Sequence, residues 1–450
     1  MLERWLNTLS YFSERLVPDA VTTSGLLLVV IGLVAAGTGA TAVGIVEAYY
    51  KGLWMLLQFT MQMTLVLLLS LMLASAPVVR GFVIRCASLP RNTTQVVIGA
   101  GLLGAFVAYL NWGLGLALGP MIAIHFARNA ERRGIPVDFL FLMAMMAGVG
   151  SIWQFGLSAS APLLSATDGH FLEKATGVMS LATTIWSPAS VILVITFTVA
   201  CISTGCLLMP KQCRPISAFP ESEARAEDLV GAATGSGSKE DMSLSQRLER
   251  TWWGGAPVWL ALVAWLGFHF FVRKASFDIN SMVTTLLLAS FAAHGNVHRF
   301  TKALQEAVGS VWPVLLLYHL YAGVAGLIQF TPAGEFLANM SSPLVNRWTY
   351  ALVTTTVSTM VAMFVPTSGG QWLIQGFVTV KMADAVGVSA QRGMLALSVG
   401  DHMGNLISPF WAVVGAGVAR LDFRLFFGYR LIFAALWFVM GVLAFTFLPC

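Results

Sequence analysis

Asp401 is the residue with the most to explain. It is the only acid inside any of the chain's long uncharged runs, in the stretch Gly393–Ala419. A carboxylate at the centre of a bilayer costs ~2.5 kcal/mol or more. Such a residue needs a compensating role, either in coupling or substrate binding or in capping a half-helix. His402 follows it, a side chain type that titrates near neutrality, and Asn405 lies one helical turn further on. Two other strings place polar side chains among helix-interrupting residues: Asn111-Trp112-Gly113-Leu114-Gly115 and Pro366-Thr367-Ser368-Gly369-Gly370-Gln371. Backbone unwound at such breaks offers N–H groups and positive dipole ends to an anion, and carbonyls to a cation. The chemistry these residues suit is ion binding.

Bond-breaking chemistry fits poorly. Intramembrane aspartyl proteolysis needs two aspartates sharing a proton, and the runs offer one. Ser398-Val399-Gly400-Asp401 also lacks the first glycine of a GxGD pattern. No nucleophile elbow accompanies an ordered base. Cys86, Cys201, Cys206, Cys213 and Cys450 fit neither a CxxC pair nor a zinc spacing. No catalytic group, metal centre or cofactor is expected, and the 20 methionines read as adaptable packing. The Lys and Arg residues are scattered over short loops and form no patch suited to nucleic acid.

The elements that position these residues follow from composition. Charged residues make up 10% of 450 and hydrophobic residues 57%, with a mean hydropathy of +0.77. Soluble proteins carry roughly 25% charge. Eleven runs of 19 or more residues lack Lys, Arg and Glu, and about 20 apolar residues cross a bilayer as a helix. The chain is therefore an all-α polytopic membrane protein. Residues 1–20, rich in charge and ended by Pro18, read as an amphipathic helix on the membrane surface rather than a cleaved signal. Lys211–Arg250 is the one long polar segment and reads as a flexible linker.

Asn92–Ala127 and Trp348–Val380 span 36 and 33 residues, too long for one crossing and too short for two. Each is broken near its middle by one of the strings above, so each is expected to be a re-entrant hairpin of two short helices. Arg80, Arg85 and Arg91 precede the first hairpin and Arg128, Arg132 and Arg133 follow it. The positive-inside rule puts both clusters in the cytoplasm, with the N-terminus and the 211–250 loop. About nine crossings plus two hairpins result.

This topology gives the two halves opposite orientation. The first membrane repeat covers 21–210 with hairpin 92–127, and a connecting helix occupies 251–278. The second repeat covers 279–450 with hairpin 348–380. Val21-Thr22-Thr23 and Val283-Thr284-Thr285 head the two units. Each hairpin precedes a span expected to be interrupted, at Gly148–Gln154 and at Gly400–Asn405. Inverted repeats with broken helices in matching positions mark secondary transporters. A continuous channel pore has no need of them.

The strings VPDAVTTSGLLL, NWGLGLALGPMIA, FVPTSGGQWLIQG and GDHMGNLISPFWAV resemble the bacterial short-chain fatty acid transporter family, within the wider ion-transporter superfamily. The resemblance runs over nearly the whole chain except 211–250. It implies import of short monocarboxylates such as butyrate or acetoacetate across the bacterial inner membrane. It also implies a homodimer whose transport subdomains move elevator-fashion against a scaffold. The positions matching the family's motifs are Asn111, Trp112, Gly113 and Gly115, then Thr367, Ser368, Gly369, Gly370 and Gln371, then Asp401, His402 and Asn405.

Within that frame the first two groups are the candidate substrate site, and Asp401, His402 and Asn405 the candidate coupling-ion site for H⁺ or Na⁺. No Lys or Arg lies in either hairpin or its partner span. An anion site built there rests on amides, hydroxyls and dipoles, which suits a singly charged carboxylate. Trp112, Trp153 and Trp372 are candidates to wall an apolar tail. Two neighbouring readings are a cation antiporter and a carrier of another small anion.

Overall fold

The computed structural model describes residues 20–224, 243–309, 311–341, 345–363, 365 and 367–449. The expected surface helix in 1–20 lies almost wholly outside them, as do Pro366 and the middle of the linker. No strand occurs among the described residues. Helices are what apolar surroundings demand, because each satisfies its backbone hydrogen bonds internally.

The first half consists of α1 (Ala20–Gly37), α2 (Ala42–Met55), α3 (Leu57–Ser75), α4 (Pro77–Ser88), α5 (Thr93–Leu110) and α6 (Trp112–Arg132). After these come α7 (Phe139–Val149), a 3-10 turn at Gly150–Phe155, α8 (Ser160–Ser165) and α9 (Pro188–Leu207). The second half holds α10 (Ala256–Gly267), α11 (Ile279–His294), α12 (Val297–Val308), α13 (Trp312–Phe330) and α14 (Ala333–Ser341). It ends with α15 (Tyr350–Ala362), α16 (Ser368–Ala385), α17 (Ala390–Ile407), α18 (Pro409–Val418) and α19 (Arg424–Phe447). Six helical segments among the described residues are long and apolar enough to cross a membrane.

Both long runs fold back on themselves. At Asn111 the backbone leaves the helix (φ −160°, ψ 133°), and α6 returns along α5. A Cβ on Gly115 would lie 3.1 Å from Ala108 Cα, so glycine permits the close return. At the far end the Arg133 guanidinium donates to the carbonyls of Ser88 and Pro90 at 2.8 and 2.6 Å, and Thr93 Oγ1 donates to the Pro136 carbonyl at 2.8 Å. The two ends of the hairpin are thus adjacent. Its arms are not short, however: α5 has 18 residues and α6 has 21. The second arm is the longer because α6 runs past the uncharged run, through Arg128 and Glu131 to Arg132. In the second hairpin Tyr350 Oη donates to the Thr379 carbonyl at 2.9 Å, and Gln371 Nε2 to the Ser358 carbonyl at 2.7 Å.

Adjacent ends make a direct expectation. Cysteines placed singly at Asn92 and Arg132, both exposed, label from the same side of the membrane in a background without native cysteine. Labelling from opposite sides removes the hairpin.

The interrupted spans differ from each other. The first breaks as expected, passing from α7 through the 3-10 turn and Gly156 into α8. The second does not break at Gly400–Asn405. Helix α17 runs through it and stops at Ser408, the residue before a proline. Gly400 and Gly404 serve packing instead: a Cβ on Gly400 would lie 2.2 Å from the Thr355 carbonyl oxygen, and one on Gly404 2.4 Å from Ala362 Cβ. Along this seam Thr355 Oγ1 donates to the Ala396 carbonyl and Ser358 Oγ to that of Leu397, at 3.0 and 2.8 Å. Gly400→Val forces α15 and α17 apart and is expected to cost ~3 kcal/mol, read as loss of folded protein in a thermal melt.

Two charge-based boundaries also shift. Glu47 and Lys51 separate two uncharged runs, Val21–Val46 and Gly52–Val79, and such a gap reads as a loop. In the structure they lie one turn apart on the exposed face of α2, which continues into α3 past a bend at Leu56. The linker is docked at its start. Arg214 pairs with buried Asp138 at 2.9 Å, Ile216 is buried, and Ser222 Oγ donates to the Ala419 carbonyl at 2.7 Å. Asp138 is needed there already, since its Oδ1 caps α7 by accepting from Phe141 N at 2.8 Å.

Candidate functional site

The breaks of the two hairpins approach one cavity of about 150 Å³. From the first hairpin it takes Trp112 and Gly115, from the second Thr367 and Ser368, and from α17 His402 and Asn405. Six of the twelve candidate residues therefore line one space. Apolar walls come from Met143 and Met146 of α7, Trp411 and Ala412 of α18, and Phe426 of α19. Trp153 also faces the cavity. Trp372 does not: it is fully buried and donates its indole N–H to Ser165 Oγ at 3.1 Å.

The remaining candidates hold the breaks in shape. Asn111 Oδ1 accepts from Gly113 N and Leu114 N at 2.8 and 3.1 Å, capping α6, and from Ser70 Oγ at 2.6 Å. Capping in this way satisfies N–H groups that the break would otherwise leave bare in an apolar interior. Gly113 lies against Ser70, Gly369 against Phe59, and Gly370 against the Thr367 hydroxyl. Gln371 ties α16 to α15 through Ser358 and also donates to Gln375 Oε1 at 2.6 Å.

Asp401 stands behind the cavity wall, fully buried, at a junction of three elements. Its Oδ2 accepts from Gln154 Nε2 of the 3-10 turn and from Asn405 Nδ2 at 3.3 Å. Gln154 Oε1 in turn accepts from Ser368 Oγ of the second hairpin at 3.0 Å. One chain of hydrogen bonds, Ser368–Gln154–Asp401–Asn405, thus joins the broken span of the first half to the hairpin and helix of the second. Asp401 Oδ1 has no hydrogen-bond partner among the described residues. His402 packs edge-on against Trp153 and Trp437, each 5.8 Å away between ring centroids, and neither of its ring nitrogens has a partner among them.

The residues the sequence did not single out are as informative. Gln154 lay inside the string expected to be interrupted, but nothing in that string marks it as the partner of an acid 247 positions away. Drawing span boundaries at charges leaves Arg430 just outside the last uncharged run, Leu431–Cys450, as a loop residue. It lies instead in the second turn of α19, 3% exposed, and lines the cavity. The cavity therefore carries a guanidinium that comes from neither hairpin nor partner span. A run boundary drawn at each charge necessarily cuts a helix that buries one. The apolar residues on both sides of it, Leu425-Phe426-Phe427 and Leu431-Ile432-Phe433, were the available signal.

Comparison with known proteins agrees with this architecture. The family described as "Short chain fatty acid transporter" matches residues 1–448. A protein of Haemophilus influenzae and one of Escherichia coli, both provisionally named short-chain fatty acid transporters, are each 27% identical to this chain. The first aligns over 98% of this chain and 99% of its own length, the second over 99% and 100%. Among solved structures, the YdaH transporter of Alcanivorax borkumensis superposes with a TM-score of 0.59 at 14% identity, covering 95% of this chain and 98% of its own. MtrF of Neisseria gonorrhoeae, described with a class of antimetabolite efflux pumps, gives 0.57 at 13% identity, covering 99% and 97%. At such identities the likeness is one of fold. With its family match over residues 1–448, the chain belongs to the short-chain fatty acid transporter family, a multi-pass membrane transport protein and not an enzyme.

Proposed function

We propose that the protein imports short-chain monocarboxylates such as butyrate or acetoacetate across the bacterial inner membrane, coupled to H⁺ or Na⁺. The observation that carries this reading is the cavity at the two hairpin breaks, backed by the network that holds Asp401. A cavity of about 150 Å³ accepts a molecule the size of benzene, which matches a four-carbon acid. Its apolar walls suit an alkyl tail, and its polar groups gather at the breaks. Coupling follows from energetics. Moving one anion inward against an inside-negative potential costs about 2.3 kcal/mol per 100 mV. One cation carried with it cancels that term, and a second drives accumulation.

In this reading residues 21–210 and 279–450 form two inverted repeats joined by the helix in 251–278, giving nine crossings and two re-entrant hairpins. The N-terminus and the 211–250 loop face the cytoplasm, and the working form is a homodimer. The adjacency of the hairpin ends supports the re-entrant topology, and the Ser368–Gln154–Asp401 contact supports a site shared by the two halves.

Competition tests the substrate class. Acetate, propionate, butyrate and acetoacetate are expected to displace labelled butyrate, whereas succinate and citrate at equal concentration leave its uptake unchanged. Citrate competing as well as butyrate removes this reading in favour of a carrier of another anion.

A further inference from the structure

Arg430 has more donors than partners. Its Nη2 donates to the Asn405 carbonyl at 3.3 Å, while Nε and Nη1 have no hydrogen-bond partner among the described residues. No described carboxylate stands within ion-pair distance of it, and Asp401 Oδ2 is occupied by Gln154 and Asn405. The ring of Phe427 lies 6.0 Å from its guanidinium carbon. A buried cation left in this state is costly, and helix α19 keeps it there at 3% exposure. Two other cavity-lining side chains carry unpartnered polar atoms. His402 has both ring nitrogens unpartnered, and Asn405 Oδ1 has no donor among the described residues. Arg430 and His402 face one apolar-walled space with N–H donors to spare, and an anion is what those donors lack; the Asn405 oxygen wants a donor instead and takes no part in holding an anion.

We propose that Arg430 is the substrate-anchoring residue: its free guanidinium edge takes the carboxylate, with His402 donating beside it and the alkyl tail lying along Met143, Met146 and Trp411. The planar guanidinium presents paired N–H donors that match a carboxylate's two oxygens. It is the sole Lys or Arg among the cavity-lining residues, so a second carboxylate would meet no cation. This subsite replaces the amides of the hairpin breaks as the main anion contact. The identity of the ligand rests on the monocarboxylate reading; the anion site itself does not.

The test is ligand binding to the purified protein in nanodiscs, read by quenching of the cavity tryptophans Trp112, Trp153 and Trp411. The probes are butyrate, its uncharged isostere butyramide, succinate and chloride. Wild type is expected to bind butyrate at least about tenfold more tightly than butyramide, roughly what a 1.4 kcal/mol preference gives. R430Q should lose that preference while its butyramide affinity stays unchanged. R430K, which keeps the charge but not the fork, should retain only part of it. A merely structural arginine would lower both affinities together, or neither, and either result overturns the proposal. If R430Q does not fold, R430K decides, and a butyrate-to-butyramide ratio equal to wild type overturns it. Should wild type prefer succinate or chloride and R430Q lose that anion, the Arg430 site stands and the monocarboxylate reading falls. No anion binding to wild type removes both.

Discussion

Asp401→Asn is expected to abolish gradient-driven accumulation of substrate while exchange between equal pools continues. The substitution keeps the size of the side chain and one carbonyl oxygen. That oxygen can go on accepting from Gln154 and Asn405, so the junction of the two halves is preserved. What disappears is the negative charge, and with it the proposed affinity for a driving cation at Oδ1, which accepts from no group among the described residues. Stability should hold or rise slightly, because a neutral amide costs less to bury than a carboxylate. The two activities separate because Asp401 lies behind the cavity wall rather than on it. If the carboxylate served only to bind its two amides, the substituted asparagine would do so comparably and accumulation would persist. Normal accumulation in a well-expressed variant therefore places coupling elsewhere, with backbone carbonyls at the hairpin breaks the next candidates.

The second large effect is expected from Gly113→Val. Transport should fall to below about a tenth of wild type while the protein still inserts and is recovered from the membrane. The cause is crowding. Gly113 is absent from the residues with positive φ, so a side chain there is not excluded by backbone conformation. A Cβ at this position would lie 2.7 Å from Ser70 Cβ on α3 and 3.2 Å from Asn111 Oδ1. Relieving that clash moves α6 away from α3 and breaks the 2.6 Å Ser70–Asn111 hydrogen bond, together with the cap that Asn111 places on α6. Overpacking costs ~1–3 kcal/mol and loss of a cap typically ~1 kcal/mol. The sum distorts the break without unfolding a protein of this size. Gly32→Ala, where nothing lies within 4 Å, serves as the control and should transport normally. Normal uptake by Gly113→Val would show that the first break has no part in the site.

The membrane character of the chain, the two fold-backs and the break after Gly148 were legible because each depends on local composition. Apolar runs make helices, and Asn111 with its glycines ends one helix and caps the next. What composition does not carry is which face of a helix looks where. Gly400 and Gly404 read as helix breakers, but between two tightly packed helices they are close-approach residues. That role depends on α15, a separate helix earlier in the chain. Gln371 looked like a ligand donor beside Ser368. Only the packing of α16 on α15 shows that one reaches the cavity network and the other ties two helices together. Arg430 was hidden by the rule that served best elsewhere. Charges do mark the ends of most spans, and a buried charge near a helix end is the case in which that rule fails.

Coupled import of a short monocarboxylate is tested by following labelled butyrate into proteoliposomes holding the purified protein. With an inward proton gradient or an inward Na⁺ gradient imposed at fixed membrane potential, one of the two is expected to drive butyrate inside above its external concentration. Collapsing that gradient should release the excess. Accumulation that never exceeds equilibration under either gradient, with the protein shown to be oriented and folded, would rule out coupled import.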